Sequence, residues 1–263
     1  MKSFFDFRED FQKYSSEYRL KEIKILKDYL GNSFFKKGLE LGAGSGFQST
    51  HIRNMFEELT VTDMNDKRLQ SLSEFSNIKR LILDSEKLLE HFDSDSFDFI
   101  YSSNHLEHLP NPDLCIDACF KILKSDGICI HVLPNPTWRL FQTILHYPTK
   151  FLNLLNRISF KKQLEEDNLF IDSSGNNMKS IEKKSFFNGI LFPKSHGVSS
   201  NFLVEHYAFR KQKWITLFEK SGFTVIDILK GPISSGYGYG FSKTKKYLEK
   251  IGISTEYFFI LKK

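Results

Sequence analysis

Leu39-Glu40-Leu41-Gly42-Ala43-Gly44-Ser45-Gly46 is the stretch on which the fold turns. A short apolar run from Gly38 flows straight into a glycine-rich turn, and a helix is expected to begin just beyond it. Glycines at 42, 44 and 46 let the backbone bend sharply and approach a ligand closely, because no Cβ stands in the way. A dinucleotide-binding turn of this kind would carry its last glycine at position 47, where the chain has Phe47. Glu40, two places ahead of the first glycine, sets a carboxylate beside the turn and suits a ligand bearing positive charge.

Upstream of this turn, Tyr14, Tyr18, Ile23, Ile25, Leu26 and Tyr29 recur at helical spacing and predict an amphipathic helix over 11–30, ending at Gly31. Downstream, strands are expected at 59–63, 80–83, 97–102 and 128–133. Helices are expected between them at 67–75, 87–91 and 113–123, with a turn at 124–127. The alternation predicts an α/β fold, a doubly wound seven-stranded and mainly parallel sheet, with its ligand site at the carboxyl ends of the strands. The pattern breaks after Pro134-Asn135-Pro136 and resumes with a helix at 211–220 and strands at 223–229 and 257–261. Some seventy intervening residues are too many for an ordinary loop. Residues 137–209 are therefore expected to form an inserted cap on a core made of 1–136 and 210–263.

At 263 residues, 40% hydrophobic and 26% charged, the chain is long enough for one large domain with an insertion. No apolar run reaches the ~18 residues of a membrane helix, and Asp6, Arg8, Glu9 and Asp10 interrupt any signal-peptide core, so a cytoplasmic protein without membrane insertion is expected. Cys115, Cys119 and Cys129 lack paired metal spacing and read as reduced core residues. The net charge of +5 comes from scattered lysines, which favours an anionic ligand over a nucleic-acid track. The abundance of Phe, 27 in all, fits the codon usage of an AT-rich bacterial genome.

The glycine spacing resembles the first motif of Rossmann-like S-adenosylmethionine-dependent methyltransferases, and three further matches follow in order. Asp63 ends the second strand with Met64 beside it; Asp84 ends the third in Leu83-Asp84-Ser85. The stretch Phe97-Asp98-Phe99-Ile100-Tyr101-Ser102-Ser103-Asn104-His105-Leu106-Glu107-His108-Leu109 resembles the fourth-strand motif of the branch that includes the ubiquinone- and menaquinone-pathway enzymes. The likeness covers about 37–136. It implies S-adenosylmethionine as cofactor, held by Glu40, Gly42, Ala43, Gly44 and Gly46, with Asp63 accepting from the ribose hydroxyls. Met64, Asp84 and Ser85 would lie at the adenine, and Asn104 would also face the cofactor.

The cluster after the fourth strand leaves several readings open. A helical turn would put Asn104, Glu107 and His108 on one face. His108, or else His105, would then be the general base that takes a hydroxyl proton, with Glu107 orienting the imidazole. A second reading makes Glu107 and His108 metal ligands as in some ubiquinone-pathway O-methyltransferases; a glutamate there matches Asn104, so an anionic ligand is missing and no metal is expected. A third has these residues simply cap a helix. In the cap, His196, His206 and Tyr207, with Arg210 after it, are candidates for the acceptor pocket, and Tyr207 would serve equally as cap core. The acceptor implied is a small polar molecule, methylated on a hydroxyl or other oxygen. A sugar- or phosphate-containing metabolite of capsule or surface-polysaccharide biosynthesis is the type expected. A nucleic-acid methyltransferase is disfavoured, because no Asp/Asn-Pro-Pro-aromatic motif follows the fourth strand and no cysteine is placed as nucleophile. A cofactor-binding fold member without catalysis is the remaining alternative.

Overall fold

The alternation of strands and helices becomes one seven-stranded sheet in the computed structural model, which describes residues 7–144, 209–234 and 242–263. In chain order the strands are β1 (Phe35–Leu41), β2 (Phe56–Asp63), β3 (Ile78–Ile82), β4 (Phe97–Ser103), β5 (Leu123–Pro134), β6 (Thr224–Lys230) and β7 (Glu256–Lys262). They lie side by side as β3-β2-β1-β4-β5-β7-β6. The first five pair in parallel, and β7 runs antiparallel between β5 and β6. The chain steps outward from β1 to β3, then returns to place β4 against the free side of β1. The strand order therefore reverses between β1 and β4, where a crevice opens at the carboxyl ends.

Successive side chains of a strand point to opposite faces, so each buried strand feeds two cores. Ile100, Leu39 and Leu41 join Ile116, Ile122 and Phe218 on one face, against α4 (Pro112–Ile122) and α5 (Lys211–Lys220). Phe99, Tyr101 and Val61 join Ile23, Leu26 and Leu30 on the other, against α1 (Phe7–Leu30). Full burial of each such side chain contributes about 1.5–3 kcal/mol. Helix α1 ends where expected: Gly31 takes φ 59° and its N–H reaches the Lys27 carbonyl at 2.8 Å, a left-handed cap that a glycine adopts at little cost.

Four expectations need correction. The segment 67–75 is not one helix but α3 (Asp66–Leu69) followed by a 3₁₀ turn at Gln70–Glu74, where the Ser73 hydroxyl bonds back to the Gln70 carbonyl. The segment 87–91 is likewise a 3₁₀ stretch, Ser85–Glu90, capped by Asp84. The turn at 124–127 is absorbed into β5 as an irregularity: Phe97 pairs with Leu123 but Phe99 already pairs with Ile128. A further helix, α6 (Ser242–Lys250), stands where none was expected, before β7.

After β5 the chain turns helical at 136–144. Trp138 there meets Phe209 edge-on at 6.0 Å, so the chain leaves the sheet and returns to it at neighbouring points. The expected cap otherwise lies outside the described residues, as do His196, His206 and Tyr207. Among the described residues no helix is long and apolar enough to cross a membrane.

Candidate active site

A cavity of about 870 Å³ opens at the crevice between β1 and β4. The glycine turn forms its floor, and each glycine is there for a different reason. All three have positive φ: 63° at Gly42, 57° at Gly44 and 73° at Gly46. A Cβ on Gly42 would lie 2.1 Å from Nδ1 of His105, and one on Gly46 would lie 2.6 Å from Leu72. At Gly44 nothing stands within 4 Å, and this residue lines the cavity. Gly42 thus makes room for an imidazole, Gly46 for the core, and Gly44 for whatever occupies the cavity.

Asp63, at the end of β2, holds the turn in shape. Its Oδ2 accepts from the Gly44 N–H and its Oδ1 from the Asn65 N–H, both at 2.9 Å. A carboxylate oxygen can accept more than one hydrogen bond. Met64 beside it is exposed and lines the cavity, as do Leu83 and Ser85 beyond β3. Asp84 serves the backbone instead. Its carboxylate accepts from the Glu86 N–H at 3.0 Å and caps the 3₁₀ turn, and it is not among the described lining residues. Glu40 is 2% exposed beneath the turn, with Oε2 lacking any hydrogen-bond partner. Burial pushes its carboxyl up to about 7, offset by the Ser49 hydroxyl and by Arg19.

The loop after β4 does not turn helically at once. Asn104 takes φ 49°, its N–H bonds the Val132 carbonyl at 2.9 Å, and its side chain donates to the Ser103 hydroxyl at 3.2 Å. Only Leu106–His108 is helical, as a 3₁₀ turn, so Asn104, Glu107 and His108 do not share a face. Asn104, His105 and His108 line the cavity, whereas Glu107 turns inward. His105 is wedged against Gly42, with Nε2 2.8 Å from the Ser85 hydroxyl. Burial, helped by the neighbouring His131 and His108, drives its pKa down to about 4, so it is uncharged at neutral pH. The His108 side chain is 41% exposed, and partial burial lowers its pKa. The Glu107 side chain is 1% exposed, lies 3.8 Å from His108 Nε2 and has neither oxygen in a hydrogen bond; burial pushes it up to about 8. Among the described residues no three or more His, Cys, Asp or Glu side chains converge as metal ligands. Arg210 is an exposed residue ahead of α5 and is not among the described lining residues.

The sequence reading missed the far wall. Ser15, Ser16 and Arg19 of α1 complete the cavity, and Arg19 heads a buried polar network. Its Nη1 donates to both oxygens of Glu22, at 2.9 and 2.8 Å, and to the Ser103 hydroxyl at 2.7 Å. Gln48 donates to Glu22 at 2.7 Å and to the Tyr101 hydroxyl at 3.0 Å. Tyr18 donates to Glu256, whose carboxyl is raised well above its ordinary value by burial and by the proximity of Glu22. One signal was present in the sequence: Glu22 follows Tyr18 and precedes Leu26 at four-residue spacing, a charge on the apolar stripe of α1.

Residues 39–131, from β1 to within β5, match the family described as "Methyltransferase domain". Residues 39–131 resemble that domain, and the whole sheet has the fold of Rossmann-like S-adenosylmethionine-dependent methyltransferases. Among the chain's relatives is the ubiquinone biosynthesis O-methyltransferase of Psychrobacter cryohalolentis, 29% identical over 117 residues, 41% of this chain and 46% of that protein. The protein of the same name from Glaesserella parasuis is 27% identical over 131 residues, 47% of this chain and 56% of that one. The chain thus spans about half the length of the curated relatives it matches. Solved structures with the same fold include an S-adenosylmethionine dependent methyltransferase from Mesorhizobium loti, with TM-score 0.55 and 12% identity over 91% of this chain and 96% of that one. Another, from Archaeoglobus fulgidus, has TM-score 0.54 and 14% identity over 95% of this chain and 98% of that one.

Proposed function

We propose that the chain binds S-adenosylmethionine in this cavity and transfers its methyl group to an oxygen of a small polar acceptor. The order of groups across the carboxyl ends of β3, β2, β1 and β4 carries the reading. Three inter-strand steps span roughly 14 Å, at ~4.8 Å per step. Along that line stand the flanks of a planar base (Leu83, Ser85, Met64), an acceptor for sugar hydroxyls (Asp63), an open glycine (Gly44) and Asn104 after β4, with the acid Glu40 buried beneath the turn and outside the cavity lining. A ligand of nucleoside, linker and cationic tail fits this sequence of groups. S-adenosylmethionine supplies a methyl group on a positively charged sulfur, which is a good leaving group.

The remaining work falls to the chain. Glu40, its carboxyl raised to about 7 by burial, gains a counter-charge when a cation lies above the turn. His108, uncharged at neutral pH and open to the cavity, takes the acceptor's hydroxyl proton. His105 is poorly suited to that role, being a weak base already engaged with Ser85 and packed on Gly42; it props the turn and the β3 loop apart. The names of the relatives favour oxygen as the methylated atom. A sugar- or phosphate-containing acceptor, with surface-polysaccharide synthesis in the cytoplasm as its setting, rests on the scattered positive charge and the long 137–209 segment alone.

The test is formation of S-adenosylhomocysteine by the purified chain from S-adenosylmethionine, with hydroxylated quinone precursors, nucleotide sugars and sugar phosphates as candidate acceptors. Turnover with one of these classes, lost in His108→Ala, supports the reading. Cofactor binding without turnover on any of them favours a non-catalytic cofactor-binding member of the fold.

A further inference from the structure

We infer that one proton shared by the carboxyls of Glu22 and Glu256 fastens α1 to the sheet, so that this helix, and with it one wall of the cavity, is released when the proton is lost to solvent. The inference is independent of what the cavity binds. Glu22 lies on α1 and Glu256 opens β7; they are 0% and 1% exposed. Their carboxyls lie within hydrogen-bonding reach of each other. An ionised carboxylate only accepts, so a bond between the two requires a proton on one of them. The donors around them show which. Glu22 receives Arg19 on both oxygens and Gln48 on one, as an ionised acid does. Among the described residues, Glu256 receives Tyr18 on Oε2 and nothing on Oε1, as an oxygen that carries the proton would. A Cβ on Gly231 would lie 2.5 Å from that Oε1, so the chain after β6 packs directly on it.

Charge balance makes the proton necessary. Arg19 acts on Glu256 as well as on Glu22, and Tyr18 beside it is a neutral donor. From β4 the Tyr101 hydroxyl meets Gln48, and from β1 and the turn after β4 two more buried acids, Glu40 and Glu107, lie near Arg19. From α6, Glu249 bonds Lys21 on the outer side of α1, and Lys245 lies beside both. One guanidinium among four buried carboxyls leaves a second charge at Glu256 without compensation. Burial and the proximity of Glu22 accordingly raise Glu256 well above its ordinary value of about 4.5. The neutral form belongs to the docked helix, so the hold is complete below about pH 4.5 and weakens as pH rises toward the raised folded value. The element with the weaker hold then moves. β7 is hydrogen-bonded to β5 on one side and β6 on the other, whereas α1 meets the sheet through side chains such as Ile23 and Leu26. Ser15, Ser16 and Arg19 leave the cavity wall with it.

The experiment is amide hydrogen exchange on the full, ligand-free chain at a series of pH values between 5.5 and 8, with each rate divided by the intrinsic rate of an unfolded peptide at the same pH. Losing one proton on release makes the released helix about tenfold more populated per pH unit. Protection of residues 15–30 of α1 should therefore fall by about tenfold per unit in wild type, and should lie below that of β4 at every pH, because the helix leaves while the sheet stays formed. Glu256→Gln, which keeps the shape and has no proton to lose, should flatten the fall by about tenfold per unit. Protection of α1 that does not change with pH in wild type, or a slope unchanged in Glu256→Gln, overturns the inference. So does equal protection of α1 and β4 throughout, since the pair would then act on the whole fold and not on the helix. Should Glu256→Gln fail to fold, Glu22→Gln decides. It leaves Arg19 to Glu256 alone, so the slope should flatten in the same way, and a wild-type slope there overturns the shared proton.

Discussion

Replacing Gly42 with alanine tests the claim that the first glycine of the turn serves His105. The new methyl group would lie 2.1 Å from Nδ1, 2.6 Å from Cγ and 2.8 Å from Cε1 of that ring, so the imidazole must leave its place. Leaving forfeits its bond to the Ser85 hydroxyl, about 0.5–1.5 kcal/mol. A non-glycine residue at φ 63° costs about 1–2 kcal/mol more. The sum is about 1.5–3.5 kcal/mol. Gly44→Ala is the control: its φ of 57° carries the same strain, but nothing lies within 4 Å of the added carbon, so about 1–2 kcal/mol is expected. Urea unfolding at pH 7.5 should therefore rank Gly42→Ala below Gly44→Ala by about 1 kcal/mol, or about 2–4 °C in melting temperature. Adding His105→Ala to Gly42→Ala should bring no further loss beyond the packing of the ring, because the obstacle is gone. Calorimetry should show the reverse ranking at the ligand, with Gly44→Ala weakening S-adenosylhomocysteine through a methyl group that enters the cavity. Equal destabilisation by the two alanines would refute the reasoning.

Three further outcomes are expected. His108→Ala should lower the maximal rate by about a hundredfold, as for loss of a general base, and leave S-adenosylhomocysteine affinity unchanged; the wild-type rate should rise with pH through an apparent pKa at or below about 6.5. Glu107 has a folded pKa near 8 against an unfolded value near 4.5, so its neutral form belongs to the fold and the stability it lends is present below about 4.5 and lost as pH rises toward 8. Glu107→Gln should therefore stabilise the ligand-free protein by about 1–3 kcal/mol at pH 8 and progressively less toward pH 4.5, read from denaturant midpoints. Asp63→Ala should expose the hold of the carboxylate on the Gly44 N–H as a loss of about 1–2 kcal/mol in stability even without ligand.

What could be read from the sequence depended on how local the deciding interactions were. Strands buried on both faces announce themselves, so 97–102 is seen as Phe97–Ser103, and the amphipathic 211–220 is seen as Lys211–Lys220. Helix α6 was missed because Ser242–Lys250 carries four lysines and a glutamate around few apolar residues, and reads as a solvated segment. The glycine turn was legible because its glycines and Asp63 lie within one strand-turn-helix-strand unit. The Arg19 wall was not, since Glu22, Gln48, Tyr101 and Ser103 come from elements far apart in the chain and meet only through the sheet order. Glu107 was misplaced for a local reason: the left-handed Asn104 delays the helical turn and sends the carboxyl inward and His108 outward.

The most direct test of the central claim is a calorimetric titration of S-adenosylhomocysteine into wild type and Asp63→Ala, with Asp93→Ala, an exposed acid remote from the turn in sequence, as control. One bound ligand per chain is expected for wild type and for Asp93→Ala. Losing the hydroxyl acceptor should weaken Asp63→Ala about 10- to 100-fold, the equivalent of about 1.5–3 kcal/mol. Equal affinities in all three proteins, or no binding to wild type, would contradict the assignment of this cavity to the cofactor.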